Sequence, residues 1–155
     1  MTSEARLREA TPVDVATIVR HRRLMFREMG HHDETALDAM EATSTPFLRA
    51  GLEDGSYRGW LVETDAGVLA GGGLLVVGYP SHPRDPHARR AWILNMYTEP
   101  AARGRGHARA ILEAMIRWCR ERGFASVSLH ASDAERHLYE TMGFAPTNEM
   151  RLDLR

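Results

Sequence analysis

The sequence predicts one domain of mixed α and β structure that spans residues 1–155. Its 155 residues are 43% hydrophobic and 26% charged, which is enough to bury a core without metals or disulfides. Short apolar segments typical of strands alternate with longer segments in which apolar residues recur every three or four positions, as on one face of a helix. Because the two kinds are interleaved along the chain, an α/β (α+β) domain is favoured.

The predicted elements follow from the spacing of apolar residues and from the prolines and glycines between them. Pro12 suits the first turn of a helix, and Gly30 ends the same helix. Three consecutive glycines at 71–73 interrupt a strand and indicate a bulge or a close backbone approach. The strand at 91–98 is apolar on both faces, so we expect it to be central and covered on both sides. In order, we predict a strand at 7–10, helices at 12–29 and 33–50 (the second with Pro46 as a point of interruption), strands at 60–62 and 68–79 joined by a turn at 65–67, a strand at 91–98, a helix at 108–122, a strand at 124–130, a helix at 132–142 and a strand at 149–154.

Charge and cysteine content exclude several classes of function. The formal net charge is −1, and all 20 basic residues counted as Lys or Arg are arginine. The lack of lysine rules out a catalytic lysine, and the charge balance gives no reason to expect a nucleic-acid partner. The single cysteine, Cys119, cannot form an internal disulfide and lies at helical spacing with Leu112 and Met115, which is typical of a packed thiol. No apolar run approaches the roughly 18 residues of a membrane span, so we expect no membrane partner and a cytoplasmic location.

The strongest local signal is the segment Arg103-Gly104-Arg105-Gly106-His107-Ala108, between an apolar strand and an amphipathic helix. Two closely spaced glycines let successive backbone N–H groups face an anion, and a helix that starts there adds unpaired N–H groups and its dipole. The segment therefore predicts a cradle for a pyrophosphate. A nucleoside-triphosphate loop would need a lysine and a hydroxyl residue, and a dinucleotide fold would place its glycines early in a βαβ unit, so neither fits.

The segment with Arg103, Gly106 and Ala108 is followed along the chain by a second motif, Tyr139-Glu140 with Gly143-Phe144. The two motifs in this order resemble those of the GNAT superfamily of acyl-CoA-dependent N-acetyltransferases, and the resemblance extends over nearly the whole chain. The family's acyl-CoA signature, Gln/Arg-x-x-Gly-x-Gly/Ala, is matched by Arg103, Gly106 and Ala108, and Glu99-Pro100 before it is similar too. The second motif is matched by Tyr139-Glu140 followed by Gly143-Phe144. Seven residues before the tyrosine, where many members carry Asn, this chain has Ser132, whose hydroxyl can still make one hydrogen bond.

The resemblance implies a GNAT-like fold, with a mixed central sheet, splayed central strands and flanking helices. It also implies acetyl-CoA as co-substrate, no metal, and direct attack by an amine of a small molecule or peptide. The pantetheine arm would enter between the strands that end at Thr98 and His130, with a backbone N–H near Tyr97 facing the thioester carbonyl. The residues implied in cofactor binding are Met96, Tyr97, Thr98, Arg103, Gly104, Arg105, Gly106, His107, Ala108, Ser132 and Tyr139.

Two side chains are candidates for proton transfer. Tyr139 is the expected general acid, because a phenol pKa of about 10 is close to that of a thiol leaving group. His130 is a candidate base, since a histidine ordinarily titrates near pH 6.5 and this one ends a predicted strand at the cleft. A chain of water molecules is an equal alternative, and His31 and His32 follow the first helix, where family members often shape the acceptor pocket.

Two other classes of function compete with acetyl transfer. A CoA-binding sensor or regulatory module could keep the fold without turnover, but it would have no need of a phenol at the thioester sulfur. A nucleic-acid-associated protein is disfavoured by the charge balance.

The strand predicted at 149–154 would be an exposed edge, which together with the family resemblance favours a homodimer.

Overall fold

A computed structural model describes residues 3–155, and its four strands pair in chain order as one antiparallel sheet. The strands are β1 (Arg6–Glu9), β2 (Tyr57–Thr64), β3 (Gly67–Gly78) and β4 (Arg89–Thr98). The helices are α1 (Val15–Glu28), α2 (Glu34–Asp54), α3 (His107–Glu121) and α4 (Arg136–Thr141), and short 3-10 turns lie at Pro12–Asp14 and Pro100–Ala102. The predicted mixed α and β domain is therefore confirmed.

The sheet separates two hydrophobic clusters, because side chains alternate between the faces of a strand. On one face α1 and α2 pack on Tyr57 of β2, and Val15, Ile18, Val19 and Leu48 complete the buried part of this cluster. On the other face α3 packs on the sheet through a larger cluster. Its fully buried members include Ile111, Leu112, Met115, Leu74 and Ala70, and it also contains Trp60, Val62, Met96 and Tyr139.

The glycine run of β3 lies where the sheet has no room for side chains. A Cβ at Gly72 would collide with the sulfur of Met96, and one at Gly73 would collide with the hydroxyl of Tyr57. The register between β3 and β4 shifts between Gly71 and Gly73, so that Asn95 and Met96 face Gly72 alone. Both predictions for this run, a bulge and a close approach, are confirmed.

Two predicted strands do not form in the described chain. Of residues 124–130, only Ser128 bridges β4, in parallel with Trp92, through hydrogen bonds of 2.8 Å and 3.1 Å. Residues 149–154 form no strand pairing, and Met150 and Leu154 are 94% and 88% exposed. A strand needs a neighbour to satisfy its backbone groups, and the chain between residues 124 and 154 supplies none beyond this bridge. The four paired strands are thus antiparallel, with one parallel bridge beside β4, and the edge strand expected at 149–154 does not form.

β4 is the last strand of the sheet, which corrects its predicted central place. Both of its faces are nevertheless covered, because α1 and α3 each contact it. α2 also differs from the prediction, since it passes Pro46 and runs to Asp54. It ends at Gly55, whose φ of 84° suits glycine and whose N–H binds the carbonyl of Gly51.

Two further expectations concern Cys119 and the membrane. Cys119 is buried in α3, and burial raises the pKa of its thiol to about 11. The packed thiol expected from the sequence is therefore confirmed. None of the helices in residues 3–155 combines the length and the apolar character needed to cross a membrane.

A half-buried ion pair ties β1 to the turn that precedes α1. Both oxygens of Asp14 accept hydrogen bonds of 2.9 Å from the guanidinium of Arg8, and the backbone N–H of Thr11 donates to one of them at 2.8 Å. These bonds, with that from Arg8 the largest effect, hold the pKa of Asp14 below its usual 3.8. A carboxylate used in this way stabilises the fold only while it is ionised.

We expect Asp14→Asn to lower the free energy of unfolding at pH 7 by about 1.5–3 kcal/mol, because charged hydrogen bonds are lost. The folded pKa of Asp14 is depressed, so its contribution is full above the usual 3.8 and disappears as the pH falls through the folded value. Denaturant titrations at several pH values should therefore show the difference from the parent shrinking in acid. The exposed Asp153→Asn is the control, and a difference that persists at low pH would contradict the role of the ion pair.

Candidate active site

The segment between β4 and α3 leaves a row of backbone amides open. Gly104 and Gly106 have φ of 75° and 82°, in the left-handed region, and no atom lies within 4 Å of a Cβ built at either position. Across residues 3–155 the N–H groups from 104 to 109 find no acceptor, and the first bonded amide is that of Ala110, to the carbonyl of Gly106 at 3.0 Å. The arrangement fits an anion at the N-terminus of α3, as the sequence predicts.

The arginines of this segment differ in what their charges contact. Arg103 donates from Nε to the carbonyl of Thr98 at 3.0 Å and pairs with Glu28 at the end of α1. Its charge is therefore neutralised, and the side chain ties the loop to β4 and α1. Arg105 is exposed. His107 is half-buried, and its Nε2 is enclosed without a hydrogen-bond partner in the described part of the chain.

The bulge at Asn95 decides which backbone groups at the end of β4 face away from the sheet. Before it, the N–H of Ile93 donates to Ser128, away from β3. After it, the N–H of Glu99 donates to Leu69 of β3. Since directions alternate along a strand, Tyr97 faces β3, where it pairs with Gly71. The backbone N–H and C=O groups of Met96 and Thr98 therefore face the outer edge of the sheet. The sequence prediction of an open amide near Tyr97 therefore fits its two neighbours and not Tyr97 itself.

Tyr139 is buried beside the end of β4, and its hydroxyl contacts a carboxylate. It is 5% exposed, belongs to the same hydrophobic cluster as Met96, and packs edge-on against Phe144. Its hydroxyl donates to Oε2 of Glu135 at 3.3 Å, and the hydroxyl of Ser132 reaches the same oxygen at 3.5 Å. Burial, with a smaller effect of the carboxylate, raises the pKa of Tyr139 far above its usual 10. Burial also raises the pKa of Glu135.

His130, the candidate base, and His31 and His32, expected near the acceptor pocket, lie against different elements. The exposed ring of His130 stacks on Trp92 with centroids 5.2 Å apart, and its Nε2 lies 3.3 Å from Glu149. Trp92 precedes Met96 by four residues, roughly 13 Å along a strand. His31 and His32 instead line a cavity of about 410 Å³ between α1 and α2. Its other lining residues are Phe26, Gly30, Asp33, Ala36, Leu37 and Met40.

A histidine that the sequence analysis missed lies at the end of β4. His21 of α1 is 1% exposed, its ring centroid is 5.1 Å from that of Tyr97, and its Nε2 is 3.6 Å from Oε1 of Glu99. Burial lowers the pKa of His21 to about 4, so it is neutral at pH 7. Arg20 pairs with Glu99 and holds the pKa of this carboxyl below its usual range. Helical spacing from Ile18 and Met25 was the available signal for its burial.

A second missed group crosses from α1 to the sheet at the bulge. Nη1 of Arg22 donates to Oδ1 of Asn95 at 2.9 Å, and Nδ2 of Asn95 donates to the hydroxyl of Tyr57 at 3.0 Å. Asn95 has φ of 59°, a left-handed conformation that asparagine tolerates better than most residues. Burial raises the pKa of Tyr57 to about 12, so its hydroxyl stays protonated. A lone polar residue in an apolar strand was the sequence signal for this position.

Comparisons with known proteins agree with this geometry. The model of the acetyltransferase (GNAT) family matches residues 18–144. The chain is 38% identical to a GCN5-related N-acetyltransferase of Ralstonia eutropha, with a TM-score of 0.90 over 97% of this chain and 99% of that one. A predicted acetyltransferase of Clostridium acetobutylicum, solved with acetyl-CoA, is 25% identical with a TM-score of 0.87 over 97% of both chains. YdgE of Bacillus subtilis, an uncharacterized N-acetyltransferase, is 26% identical over 119 residues, which are 75% of this chain and 73% of that protein.

The chain therefore belongs to the GNAT family of acetyltransferases, as its two motifs predicted. It is an N-acetyltransferase, an enzyme of the acyltransferase class. Among residues 3–155 no three His, Cys, Asp or Glu side chains are grouped so that they could hold a metal ion.

We expect Glu135→Gln to lower the pKa of Tyr139, because the neutral amide no longer opposes formation of the phenolate. The pKa is measured from the ultraviolet absorbance of phenolate as a function of pH. The same titration of the parent and of the variant, each with Tyr139→Phe added, is subtracted to give the signal of Tyr139 alone. Tyr139 should ionise at a lower pH in the variant than in the parent. Equal titration curves would show that Glu135 does not act on the phenol.

Proposed function

We propose that the chain transfers an acetyl group from acetyl-CoA to a primary amine of a small molecule or peptide, by direct attack of the amine. The observation that carries the proposal is the row of open amides from 104 to 109 at the start of α3. This row of amides lies next to the end of β4, where backbone groups face outward, and near the buried phenol of Tyr139. The Clostridium acetobutylicum relative solved with acetyl-CoA supports the choice of acyl donor.

The open amides bind the pyrophosphate of the cofactor in this proposal. The N–H groups from Gly104 to Ala108 and the positive end of the α3 dipole attract its charge. Arg105 adds a positive charge, and Arg103 keeps the loop in place through Thr98 and Glu28. Met96 and Thr98 offer outward backbone groups to an extended arm, as a neighbouring strand would. Ser132 stands where many family members carry asparagine, and its hydroxyl contributes one further hydrogen bond.

Direct attack is favoured because residues 3–155 place no activated nucleophile near these groups. Cys119 is buried in α3, and a thiol pKa of about 11 leaves almost no thiolate at neutral pH. The amine must itself be neutral to attack, so its proton has to leave first. His21 lies against Tyr97 and Glu99, whereas the ring of His130 rests on Trp92. The lowered pKa values of His21 and Glu99 make both weak acceptors of this proton. Water that links the site to solvent is the alternative route.

Tyr139 gives its proton to the departing thiolate in this proposal. Its high pKa keeps the phenol protonated at neutral pH. The same burial that disfavours a phenolate also disfavours a thiolate next to it, so the pKa of the leaving group rises as well. The transfer therefore stays nearly balanced, although both groups titrate above their usual range in the dry site. Glu135, which accepts a hydrogen bond from the phenol, orients it.

Turnover tests the proposed activity. Release of free CoA thiol from acetyl-CoA is followed with a panel of amines, amino acids and peptides, and the acetylated product is identified by mass. Acetylation of at least one amine, dependent on the enzyme, is the expected result. Binding of acetyl-CoA without transfer to any amine would instead favour a sensor module.

We expect Gly106→Val to weaken acetyl-CoA binding by about 100-fold or more, because its side chain would fill the space in front of several N–H donors. Left-handed backbone strain should also lower the free energy of unfolding by about 1–2 kcal/mol. Gly55→Val is the matched control, since Gly55 has φ of 84° and the same open surroundings but caps α2. Calorimetry should show equal stability losses and lost affinity only in Gly106→Val. Unchanged affinity there would refute the cradle.

We expect Tyr139→Phe to lower kcat by about 10²–10⁴-fold while the affinity for acetyl-CoA changes far less, because only the transferable proton is removed. The measurement needs an acceptor whose acetylation is limited by chemistry rather than by product release. Tyr79→Phe, at a half-exposed ring under Arg90, should stay within about twofold of the parent. A Tyr139→Phe enzyme that turns over at nearly the parental rate would exclude the phenol as general acid.

A further inference from the structure

Arg22 is the arginine of α1 whose charge has no carboxylate partner within residues 3–155. α1 carries four arginines along one helix, and ion pairs at 4.0 Å or less neutralise the others. A half-buried guanidinium without an anion is unfavourable, because burial removes water that nothing replaces. The paired arginines are Arg20 with Glu99, Arg23 with Glu34, Asp38 and Glu41, and Arg27 with Glu34.

The guanidinium of Arg22 is held in one orientation with part of it open. Nη1 donates to Asn95, and the guanidinium carbon lies 4.9 Å from the centre of the Phe26 ring. In the described chain Nε and Nη2 donate to nothing, yet neither is among the nitrogens sealed from solvent without a partner. Arginine presents these two donors as a planar fork that matches the two oxygens of a carboxylate. Burial lowers the pKa of Arg22, as expected for a cation that lacks an anion.

The position of Arg22 links the two parts of the candidate site. Asn95, which it contacts, directly precedes Met96, where β4 presents outward groups at the proposed site of transfer. Phe26, over which it lies, lines the cavity of about 410 Å³ that His31 and His32 also line. A molecule that extends from the cavity to the end of β4 would pass the open edge of the guanidinium.

We propose that Arg22 binds the carboxylate of the amine acceptor, so that the substrates are amino acids or similar small amino carboxylates. The two oxygens of the carboxylate accept hydrogen bonds from Nε and Nη2, while Nη1 continues to donate to Asn95. This assignment rests on the proposed acetyl transfer, and it adds the class of acceptor. Arg22 is a specificity-determining residue in this view, since it touches the acceptor away from the reacting amine.

Matched acceptors and variants test the assignment. Free amino acids are compared with their carboxamides and with amines that carry a phosphate in place of the carboxylate, by thiol release from acetyl-CoA. We expect kcat/KM to favour the carboxylates over the amides by about 10- to 100-fold in the parent. Arg22→Gln should remove this preference, whereas an effect on the bulge through Asn95 would change acetyl-CoA affinity and the turnover of all acceptors alike. Arg22→Lys, which keeps the charge without the fork, should retain part of it, and Arg27→Gln should retain all of it.

Binding measured without turnover separates this assignment from the proposed activity. Calorimetry follows the same amino acids and amides on the enzyme saturated with CoA, for the parent and Arg22→Lys as well as Arg22→Gln. If carboxylates bind through Arg22 but no amine is acetylated, the proposed function fails and the anion site stands. If amines are acetylated without preference, or the preference survives in both variants, the assignment to Arg22 fails and acetyl transfer stands. Preference for the phosphate, or no binding and no turnover of any carboxylate, also overturns it.

Discussion

The candidate site depends on one irregularity, the pairing of two residues of β4 with Gly72 of β3. An extra residue in one strand reverses the direction of every backbone group that follows it. Before the bulge the odd-numbered residue Ile93 turns its N–H away from β3, and after it Glu99 turns its N–H towards β3. The backbone groups of Met96 and Thr98 consequently face the open edge of the sheet, next to the segment that holds Gly104 and Gly106. Without the bulge these groups would be used up inside the sheet.

The bulge persists because both faces of the sheet are built around it. On one face Met96 fills the space that a side chain at Gly72 would need, and it packs in the cluster that holds Tyr139. On the other face Asn95 is held between Arg22 and the hydroxyl of Tyr57, which itself occupies the space beside Gly73. α1 thus does more than cover the sheet. It supplies a polar contact that fixes the left-handed residue of the bulge.

Features carried by contiguous residues could be predicted from the sequence, and those that need a distant partner could not. The position of Gly104 and Gly106 before an amphipathic segment was enough to predict the loop and the start of α3. The strands at 124–130 and 149–154 failed, because alternation shows what a segment could do and not whether a neighbour is available. His21 and Arg22 had no local signal for their role, since it arises from contacts with β4. Glu135 could have been found, because it precedes Tyr139 by one helical turn.

The ion pairs of the fold share a chemical property that matters for an enzyme of this class. Within residues 3–155 every basic partner in them is a guanidinium or an imidazole, as in Arg8 with Asp14 and Arg103 with Glu28. The chain has no lysine, and a guanidinium stays protonated and is therefore a poor nucleophile. None of the side chains that hold the fold together can be acetylated as a lysine amine would be. The charge network is therefore insensitive to the acyl donor that the enzyme handles, and the protein offers no side-chain amine that competes with its acceptor.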